Sequence, residues 1–146
     1  MSLGRLDSDE RYIIDICDKV LGRKASRQHR FDFLRGDSRT PTASGRKLPV
    51  DAYYDDLKLV IEYHERQHTE PVGVMDRRMT VSGISRGEQR KKYDQRRHEE
   101  LPKHGLTLII LDYANFDIGH DKRLRRDHMT DETKIRDRLS KYVVST

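Results

Sequence analysis

The sequence predicts an α/β fold: a three-layer sandwich in which a small mixed β-sheet is flanked by helices. The predicted elements follow the order α–β–β–β–α–β–α, which favours helices on both faces of one sheet. Residues 106–112 form a short continuous apolar run, as is typical of a strand buried on both faces. The chain has 146 residues, about the length of one domain. We therefore expect a single domain over 1–146, with a core at about 8–113 and a charged helical extension at 114–146.

The N-terminal part of the core is predicted to contain a helix, a strand and a loop. Residues 8–21 carry apolar side chains at helical spacing, Ser8 can cap the first turn and Gly22 can end the last. Residues 30–34 are expected to form a short strand. Residues 36–47, rich in Ser, Thr, Gly and Pro, are expected to form a loop.

Two apolar runs in the middle of the chain, 48–54 and 58–63, predict a β-hairpin. Two aspartates, which are common turn residues, lie between the runs. Because side chains alternate between the faces of a strand, a connection of two or four residues would place Asp51 and Glu62 on the same face. They would then be diagonal neighbours, whereas a three-residue connection would put them on opposite faces.

The C-terminal half is predicted to contain two helices around the buried strand. Residues 88–104 form a strongly basic helix that Gly105 ends, and the strand at 106–112 follows directly. After a charged linker, residues 131–143 form the last helix, with Thr130 as its N-cap.

The composition restricts the class of protein and of partner. Charged residues make up 38% of the chain and the formal net charge is +5, which favours a polyanionic partner such as nucleic acid. The single cysteine, Cys17, excludes an internal disulfide framework and a cysteine-rich zinc module, and we expect it to be buried. No apolar run reaches membrane-spanning length and no signal-peptide pattern is present, so we expect no membrane partner and a cytoplasmic location. The sequence leaves the oligomeric state open, a homodimer included.

Asp51 and Glu62 are the residues most strongly indicated as functional. Their neighbours in the sequence are apolar, and carboxylates are seldom placed in a buried strand pair without a partner. Two carboxylates on one face supply the oxygen ligands that suit Mg²⁺ or Mn²⁺. Such an ion polarises a phosphoryl oxygen and lowers the pKa of a bound water. His68, just past the second strand, is placed to accept a proton from that water. For Asp51 and Glu62 themselves, an ordinary salt bridge is an equally good explanation.

A resemblance to a known family is carried by residues 48–68, LPVDAYYDDLKLVIEYHERQH. This run resembles the core of very-short-patch-repair-type endonucleases, which belong to the restriction-endonuclease-like, or PD-(D/E)XK, superfamily. Residues 90–97 resemble the basic helix that follows in the related homing-endonuclease branch, and the resemblance covers about residues 8–113. The pattern of that branch is matched, in order, by Asp51, Glu62, Gln67 and His68.

The resemblance implies roles for these and for further residues. Asp51 and Glu62 would hold a Mg²⁺ or Mn²⁺ ion, and His68 would activate water. Glu10, in the first predicted helix, would orient that water. Asp94, in the basic helix, would position His68 or a second ion.

The sequence departs from the family pattern after the second strand. The tight glycine turn is absent, and His64 stands in place of the lysine of the E-x-K motif, so His64 competes with His68 as the proton acceptor. Asp94 lies one helical turn from Arg90 and Arg97, and simple ion pairing explains its position equally well.

Two alternatives to a nuclease remain. The residues from His64 to His68 spell H-E-x-x-H, the zinc-metallopeptidase signature, which requires both histidines on one face of a helix. The β-branched residues before His64 and the proline at 71 speak against a helix there. The other alternative is a catalytically silent member of the fold that binds nucleic acid without cutting it.

Basic residues cluster in two stretches that we expect to contact DNA. Phosphate contacts position a nucleic acid without reading its sequence, whereas the alternative for any single residue is a solvated surface. The candidates are Lys24, Arg27, Arg30, Arg86, Arg90, Lys91 and Arg97. Together with the acidic pair, they predict an endonuclease that hydrolyses DNA phosphodiester bonds with Mg²⁺ or Mn²⁺.

Overall fold

The computed structural model describes residues 8–38, 40, 43–65, 85–120 and 123–143. The helices and strands follow the predicted order, and the α/β class is confirmed. In chain order they are α1 (Asp9–Leu21), β1 (Ser26–Arg35), β2 (Lys47–Tyr54), β3 (Leu59–His64), α2 (Arg86–Lys103), β4 (Thr107–Asp112) and α3 (His128–Arg138).

The four strands form one mixed sheet in the order β1-β2-β3-β4. β2 pairs antiparallel with both β1 and β3, whereas β3 and β4 are parallel and are connected through α2. All of β3 except its last residue is buried, because helices cover both faces of the sheet there. The result is the predicted three-layer arrangement around a central strand.

The two faces of the sheet are covered in different ways. On one face, α1 contributes six buried apolar residues, among them Cys17 as predicted, and these pack with Ile135 and Leu139 at the end of α3. On the other face, α2 buries only Leu101, which packs with Val50 and Val60. α2 is therefore held against the sheet largely by polar contacts. No helix within the described ranges is both long enough and apolar enough to cross a membrane.

The N-terminal elements agree closely with their local signals. Ser8 caps α1 through a hydrogen bond from the Arg11 amide, and Gly22 ends the helix in the left-handed conformation. β1, however, begins at Ser26 rather than at residue 30, because pairing with β2 extends it beyond its apolar part. α2 begins two residues earlier than predicted, with Ser85 as its cap.

The last helix was misplaced by the sequence prediction. Asp127, not Thr130, caps α3, and its side chain accepts a hydrogen bond from the Thr130 amide. Because the Asp127 carboxylate accepts this hydrogen bond, the helix begins directly after Asp127 and Thr130 lies inside its first turn. The helix ends at Arg138 and a short 3-10 turn, Ser140–Tyr142, follows it.

Candidate functional site

The β2–β3 hairpin brings Asp51 and Glu62 face to face. Its connection has four residues, a 3-10 turn at Asp55–Leu57 and then Lys58 in the left-handed conformation. The last backbone pair of the ladder is Ala52 with Ile61, so the next step sets Asp51 opposite Glu62. The two acids lie on one face as predicted. They are direct partners rather than diagonal ones. The four connecting residues are 55–58, so Tyr54 pairs with Leu59, and this register differs by two residues from the one that makes the acids diagonal.

Each of these carboxylates holds a backbone amide of the facing strand. The Asp51 amide donates to Glu62 Oε2 at 2.6 Å, and the Tyr63 amide donates to Asp51 Oδ2 at 2.7 Å. The side chains thus replace the backbone ladder at the point where it ends. Both carboxylates are fixed in orientation before any ligand arrives, since amide hydrogen bonds to a carboxylate are strong.

Gln28 connects the acid pair to Glu10 of α1. Its side-chain amide donates to Glu10 Oε2 at 2.9 Å and to Asp51 Oδ1 at 3.4 Å. Gln28 lies within β1 opposite Asp51 and has φ 51°, a left-handed conformation that is costly for a residue with a side chain. Gln28 could not be identified from the sequence, because only the register between β1 and β2 shows which residue faces Asp51.

α2 closes the other side of the site with Asp94 and Arg97. The Arg97 guanidinium contacts Asp94 Oδ1 at 3.0 Å and Glu62 Oε1 at 3.4 Å, and it also donates to the Pro49 carbonyl. The Arg97 side chain is only 13% exposed. Arg97 was expected to contact DNA, but it lies among the acids, and the ion pair considered for Asp94 is present.

His64 completes this group at the end of β3. Ligand atoms of Glu62, His64 and Asp94 all lie within 4.8 Å of one another. Because His64 ends a strand, it does not stand on the helix that the H-E-x-x-H signature requires. Gln67 and His68 lie outside the described residues.

The carboxyl groups of the site are strongly perturbed by their surroundings. Burial, and then the charge of Asp51, raise the pKa of Glu10 to about 7. Burial, and then the charge of Glu62, raise the pKa of Asp51 to about 7. Burial also raises the pKa of Glu62 to about 7, although the charge of Arg97 opposes this shift. Burial is the largest cause of all three shifts, and a divalent cation bound here would stabilise the ionised form of each carboxyl group.

The remaining basic candidates are placed differently from one another. Arg27 forms ion pairs with Asp15 and Asp18, so its guanidinium stabilises the junction of α1 and β1. Lys24, Arg86 and Lys91 are exposed, and Arg90 is half-buried. Arg30 is exposed and donates to the Lys47 carbonyl.

A basic groove of about 750 Å³ lies between the first turns of α2 and the segment before β2. Its cationic lining residues are Arg30, Arg46, Lys47 and Arg86. Pro49 also lines the groove, and its carbonyl accepts a hydrogen bond from Arg97. Arg97 in turn contacts Asp94 and Glu62, so one lining residue of the groove is linked to the acidic group. Arg46 and Lys47 were missed because their segment carries a loop signal rather than a charge cluster.

Comparison with known proteins identifies no relative: no family model, no curated protein and no solved structure matches this chain.

Proposed function

We propose that this protein is a divalent-metal-dependent endonuclease that hydrolyses DNA phosphodiester bonds. The observation that carries the proposal is the set of three carboxylates, Glu10, Asp51 and Glu62, which α1, β2 and β3 bring together. Each has a pKa raised to about 7. Strongly perturbed pKa values are concentrated at functional sites of proteins. The resemblance of residues 48–68 to restriction-endonuclease-like enzymes agrees with this assignment.

Asp51 and Glu62 are the residues that would hold the metal ion. Carboxylate oxygens are the ligands that Mg²⁺ and Mn²⁺ prefer, and a bound cation would stabilise the two buried carboxylates in their ionised form. The residues therefore fit the ion. The bound ion would polarise the scissile phosphoryl oxygen and lower the pKa of water. The backbone amides of Asp51 and Tyr63 keep the two carboxylates in place. Gln28 fixes Glu10 beside them, where its second oxygen can orient a water.

The basic groove supports DNA as the substrate. Arg46 and Arg86 are exposed and line the same groove as Arg30, and the positive charges of these three residues suit a chain of phosphates. Lys47, which also lines the groove, forms an ion pair with Asp32. Pro49, which lines the groove, is linked through Arg97 to Glu62 and Asp94, so we expect a strand bound in the groove to lie near the carboxylates. A peptidase has less support, because His64 lies on a strand.

Plasmid cleavage tests this proposal. Purified wild-type protein is incubated with supercoiled plasmid in Mg²⁺, Mn²⁺, Zn²⁺ or EDTA, beside Asp51→Ala and the matched control Asp137→Asn. Asp137 is an exposed acid on α3. We expect Mg²⁺- or Mn²⁺-dependent cleavage by wild type and control, and none by Asp51→Ala. Equal cleavage by Asp51→Ala would identify a contaminating nuclease and refute the site. Salt-sensitive binding without cleavage in any metal would indicate the silent member of the fold.

A further inference from the structure

Glu62, His64 and Asp94 form a second group of potential ligands beside the acid pair. Glu62 and His64 are two residues apart on β3 and therefore share a face of the strand. That face is covered by α2, from which Asp94 approaches. Oxygen or nitrogen atoms of all three side chains lie within 4.8 Å of one another, close enough to bind one ion. β3 is one of the two inner strands, and its pairing with β4 continues through His64, so the backbone of both ligand residues on β3 is held by the sheet.

The carboxylates of Glu62 and Asp94 already contact one cation, the guanidinium of Arg97. The Arg97 guanidinium contacts the carboxylates of both Glu62 and Asp94, at 3.4 and 3.0 Å. Arg97 also donates a hydrogen bond to the carbonyl of Pro49 on β2. Two carboxylates that share one buried guanidinium show that this position favours positive charge independently of the Asp51 side.

The imidazole distinguishes this group chemically from the acid pair. Mg²⁺ prefers oxygen ligands alone, whereas Mn²⁺, Co²⁺ and Zn²⁺ also accept imidazole nitrogen. We propose that Glu62, His64 and Asp94 form a second divalent-cation site that prefers a transition-metal ion such as Mn²⁺ to Mg²⁺. The inference builds on the proposed function, because Glu62 is shared with the Asp51 site. His64 is then a metal ligand, and another group would accept the proton from the attacking water.

Metal binding to the full-length protein without DNA tests this inference. Metal-free wild type is titrated with Mn²⁺, the free ion is followed by electron paramagnetic resonance, and Mg²⁺ is added as a competitor. We expect two Mn²⁺ ions per chain in the wild type. We expect one ion in His64→Ala, with at least a tenfold lower preference for Mn²⁺ over Mg²⁺. Asp94→Asn should lose the same ion, and it provides a second test should His64→Ala fail to fold.

The matched control is His104→Ala. His104 is an exposed histidine just past α2, about 15 Å along the helix from Asp94, and its replacement should leave both ions bound. If His64→Ala and Asp94→Asn bind Mn²⁺ with the stoichiometry and affinity of the wild type, the second site is refuted, whether or not the protein cuts DNA. If the wild type binds two Mn²⁺ ions as described but leaves plasmid intact, the second site stands and the proposed function fails.

Discussion

Gln28 shows, at the scale of one residue, how the backbone stabilises the site. Its left-handed conformation inside a strand points its amide toward two carboxylates from different elements, Glu10 and Asp51. A conformation that costs about 1–2 kcal/mol for a residue with a Cβ persists only where surrounding contacts hold it. The hydrogen bonds to the two acids supply those contacts.

Replacing Gln28 by Gly or by Ala separates its two contributions. Both variants lose the link between Glu10 and Asp51, so we expect single-turnover DNA cleavage to slow about tenfold in each. Alanine keeps a Cβ in the left-handed conformation, whereas glycine adopts this conformation without cost. We therefore expect the free energy of unfolding in urea to be about 1 kcal/mol lower for Gln28→Ala than for Gln28→Gly. If Gln28→Gly cuts DNA at the wild-type rate, Gln28 has no positioning role.

The position of Arg97 in the site could not be predicted from the sequence, whereas the positions of two acids could. Asp51 and Glu62 could be predicted, because strand alternation alone places both on one face of a hairpin. Arg97 lies in a strongly basic helix that buries only one apolar residue, so its contact with Glu62 could not be read from composition. Which face of a polar helix turns inward depends on contacts with distant strands.

At the scale of elements, the junction of α1 and α3 combines apolar packing with a hydrogen bond to a buried carboxylate. Tyr12 of α1 donates its hydroxyl to Asp131 Oδ2 at 2.5 Å, and Asp131 is only 1% exposed. The other oxygen of Asp131 is also buried and has no hydrogen-bond partner among the described residues. The junction matters for the site, because α1 carries Glu10.

Tyr12→Phe tests this junction. Removal of the hydroxyl leaves a buried carboxylate without its donor, so we expect the free energy of unfolding to fall by about 1–3 kcal/mol in urea denaturation. Tyr142→Phe is the matched control: Tyr142 packs against the same core, and no hydrogen bond of its hydroxyl is found in the described part of the chain. Equal stability of the two variants would contradict the assigned role of Asp131.

Elements with strong local signals were predicted accurately, and elements that depend on distant contacts were not. α1 has its cap, its apolar spacing and its terminal glycine within a short stretch of sequence, and its limits agree to one residue. β1 is ten residues long because β2 pairs with its polar half as well, which no local pattern reveals. The register of the hairpin could not be predicted either, because its turn residues allow a four-residue connection to begin at more than one position.

For the whole molecule, the distribution of charge predicts how it should bind DNA. Arg46 and Arg86 line the groove, and each phosphate contact that is lost should reduce the salt dependence of binding by about one unit of slope. We expect the double variant Arg46→Ala, Arg86→Ala to bind duplex DNA more weakly and with a shallower slope in EDTA. Lys141→Ala, an exposed cation after α3, should bind as the wild type does. Unchanged binding by the double variant would exclude the groove as the DNA contact.

The crowded carboxyl groups also predict how stability depends on pH. The pKa values of Glu10, Asp51 and Glu62 are raised to about 7, so in moderately acidic solution the folded chain holds protons that the unfolded chain has released. The free energy of unfolding of the metal-free protein should therefore fall as pH rises from about 5.5 to about 8. The fall should be smaller by about 1 kcal/mol or more in Asp51→Asn, because one pKa unit corresponds to about 1.4 kcal/mol.

Urea denaturation in EDTA at the two pH values measures this effect. Added Mn²⁺ should restore stability at the higher pH in the wild type, since ligands that bind only the folded state stabilise it. An identical pH dependence of wild type and Asp51→Asn would show that the pKa of Asp51 is not raised in the folded chain.

The most direct test of a metal-dependent nuclease site is the single-turnover cleavage rate of Glu62→Gln on a labelled DNA duplex in Mn²⁺. Glutamine keeps the size of the side chain and an oxygen for the Asp51 amide, but it removes the charge that would hold the ion. We expect cleavage at least about 100-fold slower than wild type, with no loss of thermal stability. A rate within about threefold of wild type would contradict the proposal, because a metal ligand at the reacting phosphate cannot be neutralised without cost.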